Sequence, residues 1–528
     1  MLRVRLVIPL VVLAALAAAG PAAAKTVPSQ PPFRVLIFDQ LSHSQFHYLA
    51  KRGAAGLLVP GVGPTTNRRQ ALAEMLRGAE VNARLGGVPA GPRLITATAA
   101  TGYPSGCCYI VVVLPPRSQR PVANDLRYPV VVMGRGFHGL LVSRTTRIPG
   151  LVSIVDIAPT ALGRERGTLS SQPSANAIAE LTSLDHQIHA NNRLKLAALL
   201  VVAGFALFFL LLRSRAAATA IPAALLTSLL LGVTQVTNEV VIMAVLSLGT
   251  FLGGLWLARL CRNDLRLLGL FLGVLLLHLL LLSVRPEWVA ITPLGPTQNS
   301  RFWGVGNQLE TLLLAPMLAG AALARRLFGT AGFAAFAVLT LVTVTGNRFG
   351  SDGGGAIVFG VAFAFLGARL LRVGVRGFVT MLLAAATAVL AIVWLDLRSP
   401  GPDHLRSAFG RGLSGLAASL GSRVPLSYAP AIHDWTLVLP LAISFLVTLA
   451  IAIKVTRPRV GRDITLALGV AVPVSLLVND SAAYVLAGGV ACAAAVARFA
   501  PTYQPLFRPV LAWARPAPQP VANEAAPE

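Results

Sequence analysis

Acidic side chains are scarce in this chain: 20 Asp and Glu among 528 residues, against 45 Lys and Arg. All charged types together make up 12%, about half of what a soluble domain carries. An ordinary water-facing globular protein is thereby excluded, and so is an acidic solvating chain, which needs many carboxylates. Cysteine is also sparse, at four residues, so no disulfide framework supports the fold. Cys107 and Cys108 are adjacent, too close along the backbone for an ordinary bridge with each other. They read as small buried hydrophobes, with an intermolecular or strained vicinal bridge as the alternative.

What fills the chain instead is apolar: 55% hydrophobic residues and a mean hydropathy of +0.70. That composition marks an integral membrane protein, whose first partner is the lipid bilayer. The formal charge of +25 would suggest nucleic acid in a soluble protein. Here the basic residues fall in short loops between apolar runs, so membrane topology accounts for them and no nucleic-acid partner is expected.

Residues 1–24 have the form of a signal peptide: MLRVR is positive, LVIPLVVLAALAAAG is a short apolar core, and PAAA before Lys25 is a small-residue exit. The segment 25–190 is therefore expected outside the cytoplasm. It alternates β-branched runs such as RVLIF, CYIVVVL and YPVVVM with helix-like stretches such as TTNRRQALAEMLRGAEVNAR, which predicts an α/β domain with a mostly parallel sheet. From Leu194 the pattern changes to apolar runs long enough to cross a bilayer. Eleven are expected between 194 and 498, centred near residues 204, 225, 248, 274, 315, 338, 362, 385, 443, 470 and 490, so the membrane part is an all-α bundle. The runs near 338, 470 and 490 are short, and one of them reads equally as a re-entrant or hairpin segment. A Pro- and Ala-rich tail, 499–528, reads as disordered and cytoplasmic.

With the first span entering from outside, the inner loops carry Arg213 and Arg215; Arg259, Arg262 and Arg266; Arg325 and Arg326; Arg369, Arg372 and Arg376; Lys454, Arg457, Arg459 and Arg462. Every one is basic, as a cytoplasmic loop should be. The long outer loop, 396–435, places Leu405, Phe409, Leu413, Leu416 and Leu420 at three- and four-residue spacing. That is one apolar helix face, read as an interfacial helix on the outer leaflet or as a cover packed on the bundle.

Polar sequences gather at the outer ends of the spans: VTNE at 236–239, NSRFWGVGNQLE at 299–310, GNRFGSDGGG at 346–355 and VNDSAAY at 478–484. They bring Asn238, Glu239, Arg301, Asn307, Glu310, Asn347, Arg348, Asp352, Asn479 and Asp480 to one side of the membrane. Each Asn or Asp alone reads more simply as a helix cap, and GSDGGG as a permissive turn. It is no nucleotide loop, since neither a preceding strand nor a GKS follows the pattern. As a group they predict a site. Glu310, Asp352 and Asp480 are the candidate catalytic or cation-binding carboxylates, because a carboxylate inside a span is costly without a polar partner. Arg301 and Arg348 are suited to bidentate contact with phosphate, and Asn307, Asn347 and Asn479 to substrate contact. Asn307, Glu310 and Thr311 are three and four residues apart and share a helix face, while Phe302 and Trp303 suit the aromatic belt at the membrane boundary.

In the exported segment, Asp39 ends the first strand-like run, and Thr65 and Thr66 precede a predicted helix, where a nucleophilic hydroxyl sits well. FRVLIFDQLSHSQFHYLAKRGAAGLLVP, GPTTNRRQALAEMLRGAE and GLLVSRTTRIPGLVSIVDIAPTAL resemble the alkaline phosphatase superfamily, in particular membrane-linked members related to phosphoglyceromutases. The resemblance implies Asp39 as a metal ligand, for zinc or manganese, and Thr65 or Thr66 as nucleophile. The chain departs from that pattern after CYIVVVL, where PPRSQRP stands in place of further Asp and His ligands, and His43, His47 and His138 do not supply a ligand set by spacing. A shortened domain that binds or scaffolds is therefore expected. The leading functional reading is an envelope membrane protein that binds or processes a lipid-linked or anionic, phosphate-bearing substrate at the outer leaflet. Its alternatives are a transporter or flippase that uses the outer carboxylates, and an assembly scaffold.

Overall fold

The computed structural model describes residues 33–61, 65–78, 95–99, 108–117, 120, 122–163, 169–299, 301–346, 349–350, 353–398, 434–456, 459–479 and 481–499. The expected signal peptide and tail, and nearly all of the 396–435 loop with its amphipathic segment, lie outside these residues.

The first part is a mixed α/β unit. In chain order it comprises β1 (Arg34–Phe38), α1 (His43–Ala50), β2 (Ala54–Val59), β3 (Thr65–Thr66), α2 (Arg68–Arg77), β4 (Ala97–Ala99), β5 (Tyr109–Val113), β6 (Val122–Ala123), β7 (Tyr128–Met133), β8 (Gly139–Val142) and β9 (Leu151–Ser153). A 3-10 turn at Ile154–Asp156 leads into α3 (Ile157–Ala161), and β10 (Ser170–Gln172) follows. Both longer helices start on a reciprocal cap, Ser42 with Gln45 and Asn67 with Gln70. The main sheet runs β10-β8-β2-β7-β5-β1-β4, with β9 also on β2; β3 and β6 pair separately.

The expected mostly parallel sheet is corrected at two strands, the edge strand β10, which runs antiparallel to β8, and the central β7. β1 is parallel to β4 and β5, and β2 to β8 and β9, but β7 runs antiparallel to both β2 and β5. Parallel neighbours need a crossover, usually a helix. The described residues between β5 and β7 hold only the two-residue β6, so the chain turns back instead of crossing.

The second part is helical: α4 (Ala177–Leu211), α5 (Ala216–Thr234), α6 (Glu239–Leu260), α7 (Asp264–Val284), the short α8 (Glu287–Ala290), α9 (Asn307–Thr345), α10 (Gly353–Leu371), α11 (Val375–Arg398), α12 (Trp435–Val455), α13 (Arg459–Val478) and α14 (Ala482–Ala497). Among the described residues nine helices are long and apolar enough to cross a membrane, the composition of a multi-pass membrane protein. The longest, α9, is two helices meeting at Gly329, whose φ of 74° and ψ of −161° are open to glycine alone. α14 has 16 residues and lies at the centre, against α4, α5, α9, α12 and α13, with every residue from Val485 to Ala497 buried.

The expected boundary between domain and bundle, at 190–194, falls inside a helix. α4 begins at Ala177 beside the sheet and continues without a break into the bundle, so a rigid rod joins the two parts. The far end of the bundle is stitched by ion pairs between helices, Arg326 to Asp264 and Arg369 to Asp463, each at 2.9 Å. Arg498 closes the same end, donating to the carbonyl of Leu210.

Candidate functional site

The α/β unit sits on the segment that leads into α9. Trp303 Nε1 donates to the carbonyl of Thr145 at 3.0 Å, and the Arg147 guanidinium lies 3.6 Å from the centre of the Trp303 rings. Asn124 Nδ2 donates to the carbonyl of Asn299 at 3.2 Å and to that of Gly61 at 2.6 Å. Phe302 and Trp303 are 2% and 7% exposed and join an apolar cluster with Phe38, Val111, Met133 and Ile148 of the sheet unit. The membrane-boundary role expected for these two aromatics is therefore corrected. Their apolar faces and the indole N–H are satisfied by protein, which an aromatic at a span mouth does not reveal from sequence.

The same segment then meets the loop after α9. Val305 N donates to the carbonyl of Gly350 at 2.9 Å. Gly304 has a φ of +88°, and a Cβ there would fall 2.1 Å from the Gly350 oxygen, so this close approach requires glycine. Arg301 donates to the carbonyl of Val305, four residues on, and so ties its own loop.

Glu310 lies in the first turn of α9 and is wholly buried, at 0% exposure. Its Oε2 accepts from Asn479 Nδ2 at 2.8 Å and its Oε1 from Ser475 Oγ at 3.4 Å, while Asn479 Nδ2 is also 2.8 Å from Ser475 Oγ. Ser475 and Asn479 are one turn apart at the end of α13, where the backbone of Asn479 still bonds to Ser475. The donors and the positive end of α9 favour a negative charge at this point. Thr311, next along, turns away: its hydroxyl donates to the carbonyl of Asn307 at 2.7 Å, and Cys492 of α14 donates to the carbonyl of Thr311 at 3.0 Å. The face predicted for Asn307, Glu310 and Thr311 is thus divided between two neighbouring helices.

A second buried polar group was not anticipated. Lys195 of α4 is 0% exposed, and its Nζ donates to the carbonyls of Gly295 at 2.8 Å and Thr292 at 3.2 Å. Gln308 Nε2 donates to the same Gly295 oxygen, and Gln298 Nε2 to the carbonyls of Ala290 and Pro296. The Oε1 atoms of Gln298 and Gln308 are buried without a hydrogen-bond partner among the described residues. This corner holds more polar groups than its own bonds satisfy.

The structure thus brings Glu310 to Asn479, and the 301–306 segment to Gly350. Asn347, Arg348, Asp352 and Asp480 lie outside the described residues. Asn238 is a helix cap, accepting from the backbone of Val240 and Val241, and Glu239 pairs with Arg193 at 3.8 Å.

In the α/β unit, Asp39 is occupied by arginines: Arg68 at 2.5 Å on one oxygen and Arg117 at 3.4 Å on the other. Thr66 is buried, its hydroxyl 3.5 Å from the carbonyl of Asn67, and Thr65 pairs with Ala123 across the small sheet. His43 and His47, with His186, Asn176 and Thr237, line an open cleft of about 580 Å³. No group of three or more His, Cys, Asp or Glu among the described residues is placed to hold a metal ion. Two guanidiniums on the carboxylate repel a cation, so the residues around Asp39 do not fit zinc or manganese.

Comparison with models of protein families, with curated proteins and with solved structures gives no match. The chemistry of the site rests on its own geometry.

Proposed function

We propose that the protein is a multi-pass membrane carrier in which Glu310 takes up and releases a coupling cation, a proton or sodium. The observation that carries this reading is the burial of the Glu310 carboxylate among apolar helices, seated on Asn479 and Ser475. An intramembrane carboxylate is costly and marks an ion or proton path. Its seat lies where the last turn of α13 meets the first turn of α9, and helix termini offer polar backbone groups to an ion site.

Eleven crossings belong to this reading, obtained by dividing α9 at Gly329 and including α14. The contacts support alternating directions, since Arg326, Arg369 and Arg498 meet their partners at the end away from the α/β unit. The basic loops make that end cytoplasmic, and the α/β unit then lies outside. We read that unit as a non-catalytic relative of alkaline phosphatases, supported by the arginines on Asp39.

A second reading keeps the same site for a lipid-linked, phosphate-bearing substrate held at the outer leaflet. It is favoured by the hydrogen bond from Val305 to Gly350, which joins the segment that carries Arg301 to the loop after α9. Glu310 itself disfavours an adjacent anion, which is why this reading stands second.

The test is current recorded from proteoliposomes on a solid-supported membrane during sodium jumps at constant pH and during pH jumps. One of the two jumps should move charge in the wild type, and Glu310→Gln should abolish it. A Glu310→Gln protein that inserts and still gives wild-type currents, or a wild type silent to both ions, rules the carrier out.

A further inference from the structure

Lys195 sits in the bundle with main-chain carbonyls as its acceptors. Its ammonium is fully buried, and it bridges the oxygens of Thr292 and Gly295 within one turn of the segment that leads to α9. Burying an amino group with no carboxylate partner among the described residues carries a desolvation cost, so its retention calls for a task that an apolar side chain cannot perform. The turn it holds is tightly built: a Cβ on Gly295 would fall 2.4 Å from the Ala290 oxygen and 2.5 Å from that of Val289. The Gly295 oxygen that faces Lys195 also receives the amide of Gln308.

Gln308 and Glu310 are two positions apart on α9, about 200° around the helix axis. One side chain faces the Lys195 turn, and the other faces Asn479 and Ser475. The first turn of α9 is therefore gripped from opposite sides, and its rotation on one side is its rotation on the other. Farther along, the segment is anchored again by Phe302 and Trp303 in the α/β unit.

We propose that Lys195 is a positioning residue for Glu310: it fixes the 292–295 turn, Gln308 locks α9 onto that turn, and Glu310 is thereby set against Asn479. The proposal rests on the reading of Glu310 as the coupling group. A long side chain with three donors reaches two carbonyls at once, which neither Met nor Leu can do.

The test uses the full chain in nanodiscs, reacted with dicyclohexylcarbodiimide, a carboxyl reagent soluble in the bilayer, with the Glu310 adduct measured by peptide mass spectrometry. Loosening the seat exposes the carboxyl to the reagent. Lys195→Met should raise the labelling rate about fivefold or more, the effect of losing one net hydrogen bond. Lys195→Arg, which still donates to both carbonyls, should restore the wild-type rate, a rescue that a general packing role does not provide. Gln308→Leu removes no charge and should raise labelling as Lys195→Met does, which separates seating from electrostatics. Wild-type labelling in inserted Lys195→Met and Gln308→Leu proteins overturns the proposal; if Lys195→Met fails to insert, Gln308→Leu decides alone. Labelling reads the carboxyl itself and requires no ion gradient or transport. A protein that moves no charge but responds as above refutes the carrier reading alone, and one that moves charge with unresponsive labelling refutes the positioning role alone.

Discussion

The Arg147 guanidinium lies face-on over Trp303, 3.6 Å from the ring centre, and joins the sheet unit to the segment that opens α9. Removing the indole deletes this contact, the bond to Thr145 and most of a buried surface. Trp303→Ala should destabilise the protein by about 3–5 kcal/mol, whereas Trp303→Phe, which keeps a ring and loses the N–H donor, should cost about 1–2 kcal/mol. Thermal unfolding in detergent checks both, and Trp303→Ala melting with the wild type would show that the interface contributes nothing.

The Glu310 seat predicts an order among variants. Glu310→Gln preserves shape and an acceptor for Asn479, while Glu310→Leu leaves a buried amide without its partner, a cost of about 1–3 kcal/mol. The Leu variant should therefore melt below the Gln variant in the same detergent. The reverse order would mean that the Asn479 contact is unimportant.

Asp39 is an exposed partner of two arginines, and exposed pairs contribute up to about 1 kcal/mol. Asp39→Asn should shift the melting temperature little, and zinc or manganese should leave both proteins unchanged. A metal-induced rise in the wild type that Asp39→Asn abolishes would restore a metal centre to this unit.

Tyr128 gives the α/β unit an alkaline limit. Burial, and then the nearby charge of Asp125, raise its phenol above the ordinary value of 10.0. A group whose pKa is raised on folding binds its proton more tightly in the folded state, so its stabilisation is complete below the unfolded value and is lost as pH rises beyond about 10. Tyr128→Phe should flatten the stability profile above that pH. An unchanged profile would show that Tyr128 does not set it.

Gly329 tests the division of α9. No atom lies within 4 Å of the position a Cβ would take, so Gly329→Ala acts on the backbone alone. Forcing alanine to a positive φ should cost about 1–2 kcal/mol, read from the melting temperature. A neutral or stabilising substitution would mean that α9 tolerates an unbroken path.

The apolar runs were legible as helices because bilayer-length hydrophobicity survives any detail of packing, and Glu310 was legible because a carboxylate among leucines has few other uses. Lys195 was not. A lysine near the start of a span ordinarily reaches back to water, and only the placement of Gly295 and Thr292 shows that it turns inward. Phe302 and Trp303 misled for a related reason: the same aromatics serve a membrane boundary or a domain interface, and composition does not separate the two. The reversed β7 was hidden because a run such as YPVVVM carries no direction.

The position of α14 has a consequence for synthesis. This helix fills the space between α4, α5, α9, α12 and α13, yet the ribosome makes it after all of them. Until it is inserted, the earlier helices surround a slot lined by their own inward faces, and Thr311 lacks the contacts that Gly488 and Cys492 later give it. The packing of the bundle is therefore completed by the last of its described helices to be made.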